Sequence, residues 1–185
     1  NPLGLPGDYY NDLPPVPVLG VYKALGIIDK EAIIYLDLKK ESIDACELPL
    51  NKQINAFKAI ENKINNLPII YILIRNFTAA YSHLVTLNLK NIAELNIACS
   101  ALAIERYRLH NNKLPDSLND LVPDYLDSVP LDPFDGKEIK YKKLDRGFVI
   151  YSIGEDQIDD GGKEQPKDKN QNQDSNYDIT FIIEK

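Results

Sequence analysis

Asp156, Asp159 and Asp160 lie within five positions of one another, just before the pair Gly161 and Gly162. Carboxylates this close repel one another unless water or a cation screens them. A hard cation with oxygen ligands would neutralise them. Ca²⁺ takes about six to eight oxygens in a flexible loop, backbone carbonyls included. The glycines leave the backbone free to turn its carbonyls inward. A solvated acidic turn is the alternative, and these residues by themselves leave both open.

The rest of the chain is poor in reactive constellations. Asp168, Asn170 and Asn172 imitate the start of an EF-hand loop. That pattern fails at its sixth position, where Gln173 replaces the turn glycine. It fails again at the twelfth, where Ile179 replaces the bidentate glutamate. His83 and His110 have no Cys, Asp or Glu at metal-ligand spacing. There is no G-x-S-x-G, P-loop, G-x-G-x-x-G or H-E-x-x-H. Asp116, Asp120 and Asp124 recur at four-residue steps, which helix capping and a wet face explain. Glu105 and Arg106 sit on a helix, where an arginine stem can lie on the core with its head in water. No nucleophile, base or metal triad can be assembled, so the expectation is not an enzyme.

Composition narrows the partners. The net charge is −7 and the isoelectric point about 4.9. A nucleic-acid partner would need a basic face, and an anionic membrane surface is disfavoured for the same reason. The chain has no Met and starts at Asn1, which suggests a processed protein or a fragment. No apolar run reaches the roughly 18–20 residues of a membrane helix, since Leu67–Ile74 stops at Arg75. Cys46 and Cys99 are far apart, and the expectation is two buried thiols. A disulfide would need an oxidising compartment and Cα atoms within about 7 Å.

The elements that must position the acidic loop can be read in order. Residues 1–20 hold Pro2, Pro6, Pro14, Pro15 and Pro17, so an extended arm is expected, packed on its own domain through Leu13, Val16, Val18 and Leu19. Asp29 is a candidate N-cap for a helix over about 30–46 that buries Ile33, Leu36, Ile43 and Cys46. After Pro49, Asn51 is a candidate cap for a second helix with Ile54, Phe57, Ile60 and Ile64 on one face. The two form an αα-hairpin. After Pro68, as far as His110, there is neither Pro nor Gly. The expectation is one long helix, with Asn88–Asn91 as a place to kink. Ile92, Leu95, Cys99, Leu102 and Leu109 make an apolar seam read as core. A short helix follows at Ser117–Leu121, with Asp116 as its cap and Leu118 and Leu121 inward. Then periodicity changes to two. Strands are expected near 138–143, 148–153 and 178–183, antiparallel, with the second central. Most of 154–176 reads as polar loop, in part disordered. This is an α+β chain with a Pro-rich arm and helical hairpin over 1–66 and a sheet-bearing domain over 67–185.

Four segments, in order, carry a resemblance. They are E-R-Y-R-L-H-N-N-K-L-P from Glu105, D-S-L-N-D-L-V-P from Asp116, D-P-F-D-G-K-x-I-x-Y from Asp132, and Y-S-I-G-E-D-x-x-D-D-G-G from Tyr151. Together they resemble the C-terminal domain of the major pseudopilin of type II secretion, the secretion protein G family. The likeness is greater still to pseudopilin-like proteins of planctomycete-type bacteria. It spans roughly the last half of the chain. The resemblance implies an extracytoplasmic protein whose long helix packs on a small antiparallel sheet, with Ca²⁺ in the loop after the second strand. By position it implies Asp156 as the most direct ligand, with Asp159, Asp160, the Ile153 carbonyl and Asp178 around it. In place of the family's membrane-embedded helix half, a helical hairpin and a Pro-rich arm stand upstream, and the loop carries a Lys/Asn/Gln insert. The expected role is a structural or assembly protein of a secretion filament or envelope machine. The alternative is a binding subunit or assembly factor of a larger extracytoplasmic complex, using the arm and helices as a clamp. Either way the partners are proteins.

Overall fold

The computed structural model describes residues 16–71, 74–75, 81–163 and 177–184, without the side chains of 16–19. Most of the expected arm and the Lys/Asn/Gln insert lie outside these residues. The chain divides into two compact units, 1–85 and 86–185. The sequence division at 66/67 followed a change of pattern, whereas the contacts divide the chain at Val85.

The N-terminal unit is helical. Helix α1 spans Val16–Ala24, which corrects the extended reading of the arm for its last five residues. Prolines are tolerated in a first helical turn, where the missing N–H has no partner to lose. Helix α2 spans Ile27–Cys46 and α3 spans Leu50–Asn65. The α2 N-cap is Gly26 in the left-handed region (φ 65), not Asp29. Pro49, not Asn51, stands at the N-cap of α3. The hairpin itself is as expected. Gln53 ties its turn by donating to the carbonyls of Cys46 (3.0 Å) and Leu48 (2.9 Å). Lys63 and Glu41 pair across it at 2.7 Å.

α3 buries Ile54, Phe57, Ile60 and Ile64, the face its spacing gives. α2 does not follow its spacing. It buries Ile27, Glu31, Leu38 and Ala45, and leaves Ile33, Leu36 and Ile43 exposed. Leu38 and Ala45 join Phe57, Ile60, Ile64 and Ile74 in one core. A second apolar stripe on the same helix misled the reading, because periodicity finds stripes and does not rank them. At the edge of this core Lys39 donates to the Tyr81 hydroxyl and lies over the Tyr81 ring, 4.4 Å from its centroid.

Ile69–Tyr71 is a turn of 3₁₀ helix, so an unbroken α-helix from Pro68 is corrected. Helix α4 spans Tyr81–Asn111 and is unbroken through Asn88–Asn91. Asn88 and Asn91 lie on its exposed face. Asn112 follows at φ 55, the left-handed stop that asparagine tolerates. The buried face of α4 is Leu89, Ala93, Ile97, Ser100, Ala101, Ala103 and Ile104. The seam expected in the core points out: Leu95, Cys99, Leu102 and Leu109 are exposed. Small residues explain the choice. Ala93, Ser100, Ala101 and Ala103 let the helix backbone come close to what it covers, and Ser100 returns its hydroxyl to the Asn96 carbonyl at 2.8 Å. Both cysteines are exposed and free, against the expectation of buried thiols.

In the C-terminal unit a 3₁₀ turn, Leu118–Leu121, is capped from Ser117. The Asp120 carboxylate accepts from the backbone N–H groups of Asp116 (2.7 Å) and Ser117 (3.0 Å). Leu118 and Leu121 face inward as expected. Strands β1 (Lys140–Leu144), β2 (Gly147–Ser152) and β3 (Ile179–Glu184) form an antiparallel sheet in the order β1-β2-β3. The central strand is the one expected, and each strand lies within two residues of its expected range. Phe148 and Ile150 point to the α4 side and join Ile97, Ala101, Ile104, Leu121 and Ile139 in the core. The 0% exposure of both Phe148 and Ile150 marks this as the dry centre of the unit.

Gly147 begins β2 where no side chain fits. A Cβ there would stand 1.7 Å from the Ile183 carbonyl oxygen of β3. Gly147→Ala is therefore expected to force β2 and β3 apart and cost about 2–4 kcal/mol of stability, the range of severe overpacking. Gly20→Ala, with nothing within 4 Å, is the control expected to stay near neutral. Urea denaturation of the two variants checks both.

Candidate functional site

The acidic loop is built on the second face of β2. Val149, Tyr151 and Ile153 point away from α4 and are still buried. The chain after β2 supplies their cover. Gly162 comes so close that an added Cβ would lie 3.0 Å from the Tyr151 ring and 3.1 Å from Val149. Its φ of 83 and that of Gly161, 80, lie in the left-handed region, so both glycines shape the turn. The Tyr151 hydroxyl donates to Asp159 Oδ1 at 3.1 Å, and Lys142 of β1 donates to the Gly161 carbonyl at 3.1 Å.

The start of the loop is fixed from a different side. Asp132 is fully buried. Its Oδ1 accepts from the Phe134 N–H and the Ser152 hydroxyl, and its Oδ2 from the Ile153 N–H, each at 2.9 Å. Its main chain bonds to Gly136 (2.8 Å) and Lys137 (2.7 Å). One residue thus joins the D-P-F-D-G turn to the end of β2. Gln157, with φ 60, adds a second tie by donating its amide to the Phe134 carbonyl at 3.2 Å. Lys90 of α4 pairs with Glu155 at 3.2 Å. None of Asp132, Gln157 or Lys90 stood out in the sequence. The prolines and Gly136 signalled the turn, but nothing signalled that Asp132 reaches another strand.

The five expected ligands fare differently. Asp156 Oδ1 accepts from the Ile158 N–H at 3.1 Å, a local turn. Its Oδ2 is buried with no hydrogen-bond partner among the described residues. Asp159 Oδ1 accepts from Tyr151 and from the Gly161 N–H (2.9 Å), and the residue is exposed. Asp160 is also exposed; its backbone N–H donates to Asp178. Ile153 gives its N–H to Asp132 and buries its side chain. Asp178 is the unusual member. It is 5% exposed, and its Oδ2 accepts from the Gly162 N–H at 2.7 Å. Its Oδ1 is buried with no hydrogen-bond partner among the described residues. Among the described residues no three His, Cys, Asp or Glu side chains converge as a metal cluster.

Electrostatics single out the same pair. Burial pushes the Asp178 carboxyl above its ordinary 3.8. The backbone N–H groups of Gly162, Asp160 and Lys163 pull it back, and the Asp159 charge pushes it up again. Burial also raises the Tyr151 phenol, followed by its hydrogen bond to Asp159 and the charges of Asp159 and Asp178. A desolvated carboxyl therefore stands beside a second carboxylate, with one oxygen unsatisfied. Asp178 and Asp159 offer hard oxygens, the donor type that Ca²⁺ takes. With no third side chain converging, its remaining ligands would be backbone carbonyls and water.

Two predictions come from this geometry. Asp132→Asn puts an N–H₂ where Oδ2 now receives the Ile153 N–H. Donor faces donor in a dry site, and a loss of about 3 kcal/mol is expected in urea denaturation. For Asp178, the native state holds the proton more tightly than the unfolded chain. The stability from that proton is fully present below about pH 3.8, and it is lost as pH rises through the raised value. In chelator, Asp178→Asn is expected to melt above the wild type at pH 7 and level with it near pH 3.8. Melting curves across that window check the sign.

Compared with known proteins, the chain matches no family, no curated protein and no solved structure.

Proposed function

We propose that this chain is a non-enzymatic structural or assembly protein that works outside the cytoplasm. In this reading its C-terminal unit is a pseudopilin-like module that binds Ca²⁺ in the loop after β2. The observation that carries the reading is the buried Asp178 with its unsatisfied Oδ1 beside Asp159. The order of the four sequence segments supports it from a separate direction. Asp178 and Asp159 would hold the cation, with backbone carbonyls and water as its remaining ligands. The cation's contribution is charge neutralisation and loop order. It has no step of chemistry to perform.

A second reading, a binding subunit or assembly factor of a larger extracytoplasmic complex, draws on the helical hairpin. Ile33, Leu36 and Ile43 lie along one exposed line of α2, and an apolar line of that kind marks a site of protein contact. Purification from the native source separates the two readings. Filament subunits would accompany the chain in the first case, and a defined complex in the second.

Calcium is the sharper test. A cation bound only by the native loop stabilises the fold by about 2.7 kcal/mol at a hundredfold excess over Kd. For a unit of this size that is about a 10 °C rise in Tm. Extracellular sites bind Ca²⁺ near 0.1–1 mM, so the rise is expected at roughly millimolar calcium and lost with chelator. Mg²⁺ demands tight octahedral geometry and is expected to substitute poorly. Asp178→Asn is expected to lose the calcium response. A wild-type Tm that ignores calcium would leave these aspartates as a wet turn and remove the main support for the reading.

A further inference from the structure

We infer that β3 pairs with β3 of a second copy of this chain, antiparallel about Ile182, so that two sheets join edge to edge. The order β1-β2-β3 leaves two edges, and an edge strand carries a row of unpaired N–H and C=O groups. The two edges differ. β1 holds Lys140, Lys142 and Lys143, the kind of charge that keeps another strand off. β3 reads Ile-Thr-Phe-Ile-Ile-Glu. It has no Lys, Pro or Gly, and Phe181 is 42% exposed.

The backbone decides which residues turn outward. The Ile183 carbonyl stands against Gly147 of β2. Successive residues of an antiparallel strand send their N–H and C=O to opposite sides. Ile179, Phe181 and Ile183 therefore bond to β2, and Thr180, Ile182 and Glu184 present theirs at the edge. Among the described residues nothing bonds to that edge.

Side-chain order selects a second copy and one register. With Ile182 on the two-fold axis, Ile182 meets Ile182 of the other copy, Phe181 meets Ile183, and Thr180 meets Glu184. Every outward N–H and C=O of these residues then has a partner. Apolar groups face apolar groups, and twice over a hydroxyl faces a carboxylate that can accept from it. Thr180 is half-buried and Glu184 exposed, and neither side chain has a partner among the described residues. One edge serves both copies, as a two-fold interface requires. Moving the axis to Phe181 would set Asp178 against Glu184 of the other copy. An in-register parallel pair would set Glu184 against Glu184. Like charges directly opposite destabilise a strand pair. The six residues of β3 span only about 20 Å, so the dimer depends on concentration.

The test is sedimentation of the whole chain over a wide concentration range, with hydrogen exchange at the β3 amides. A monomer–dimer equilibrium is expected, and the Ile182 amide is expected to exchange more slowly as the dimer forms. Thr180→Glu sets like charges opposite one another twice and is expected to weaken the dimer about tenfold. Adding Glu184→Lys turns both repulsions into ion pairs, and the double variant is expected to recover the wild-type dimer. Residues 180 and 184 of one copy lie about 14 Å apart along the strand, so the recovery reads the contact between copies. Ile182→Pro removes an N–H that β2 does not use and is expected to be monomeric at every concentration. A wild type that stays monomeric overturns the inference. So does an Ile182 amide whose slow exchange ignores concentration, since the edge would then be covered by the chain's own residues. A double variant no stronger than Thr180→Glu, or a dimer that Ile182→Pro leaves intact, puts self-association on another surface and overturns it too.

Discussion

The Asp132 carboxylate is the interaction on which the C-terminal unit depends. It lies wholly out of water and takes three donors from three places: the turn after it, the end of β2, and the first residue beyond β2. A buried charge without partners would cost several kcal/mol. Here the backbone and one hydroxyl satisfy it, so the same cost now enforces geometry. The turn cannot shift without orphaning the charge, and β2 cannot end elsewhere. The position of Gly154 follows.

What begins at Gly154 is a cover. The central strand is dry on both faces, but helix and 3₁₀ turn account for only one. The other is closed by a short polar segment that contributes glycine, not bulk, against Tyr151 and Val149. Such a cover brings its carboxylates along with it. This is why Asp178 is desolvated and Asp159 sits on a tyrosine hydroxyl: the acid groups are placed by the need to seal the sheet. Tyr141, on the neighbouring strand, shows the same mixture of burial and acid. Burial, then Asp116 and Asp120, push its phenol to about 12, and its hydroxyl reaches the Pro115 carbonyl at 3.0 Å.

The strands, their order and the inward leucines of the 3₁₀ turn were legible because alternation and turn residues act locally. So was the hydrophobic line of α3, which carries only one such line. α2 and α4 were misread for a shared reason. Each has two apolar lines, and the one with the larger side chains attracted the assignment. Burial went to Ile27, Leu38 and Ala45 in one helix, and to Leu89, Ile97 and Ile104 among alanines and a serine in the other, where the small residues let the backbone come close. The site divided in the same way. Clustered aspartates announced an acidic loop, and position within the resemblance pointed to Asp178. The burial of Asp178 and the reach of Asp132 are long-range facts with no local mark. The starts of α2 and α3 were also missed, since Gly26 and Pro49 act through backbone conformation and supply no capping side chain.

The bond from the Gly162 N–H to Asp178 has one more consequence. It pinches the chain at two points 16 residues apart, one at the edge of the cover and one at the mouth of β3. The bond holds those two points together. Closing such a loop costs only about 0.6 kcal/mol more each time its length doubles. The sheet is thereby insulated from the size of whatever lies between. That makes this position a natural graft point, where an epitope or a whole guest domain could be inserted with β2 and β3 still in register.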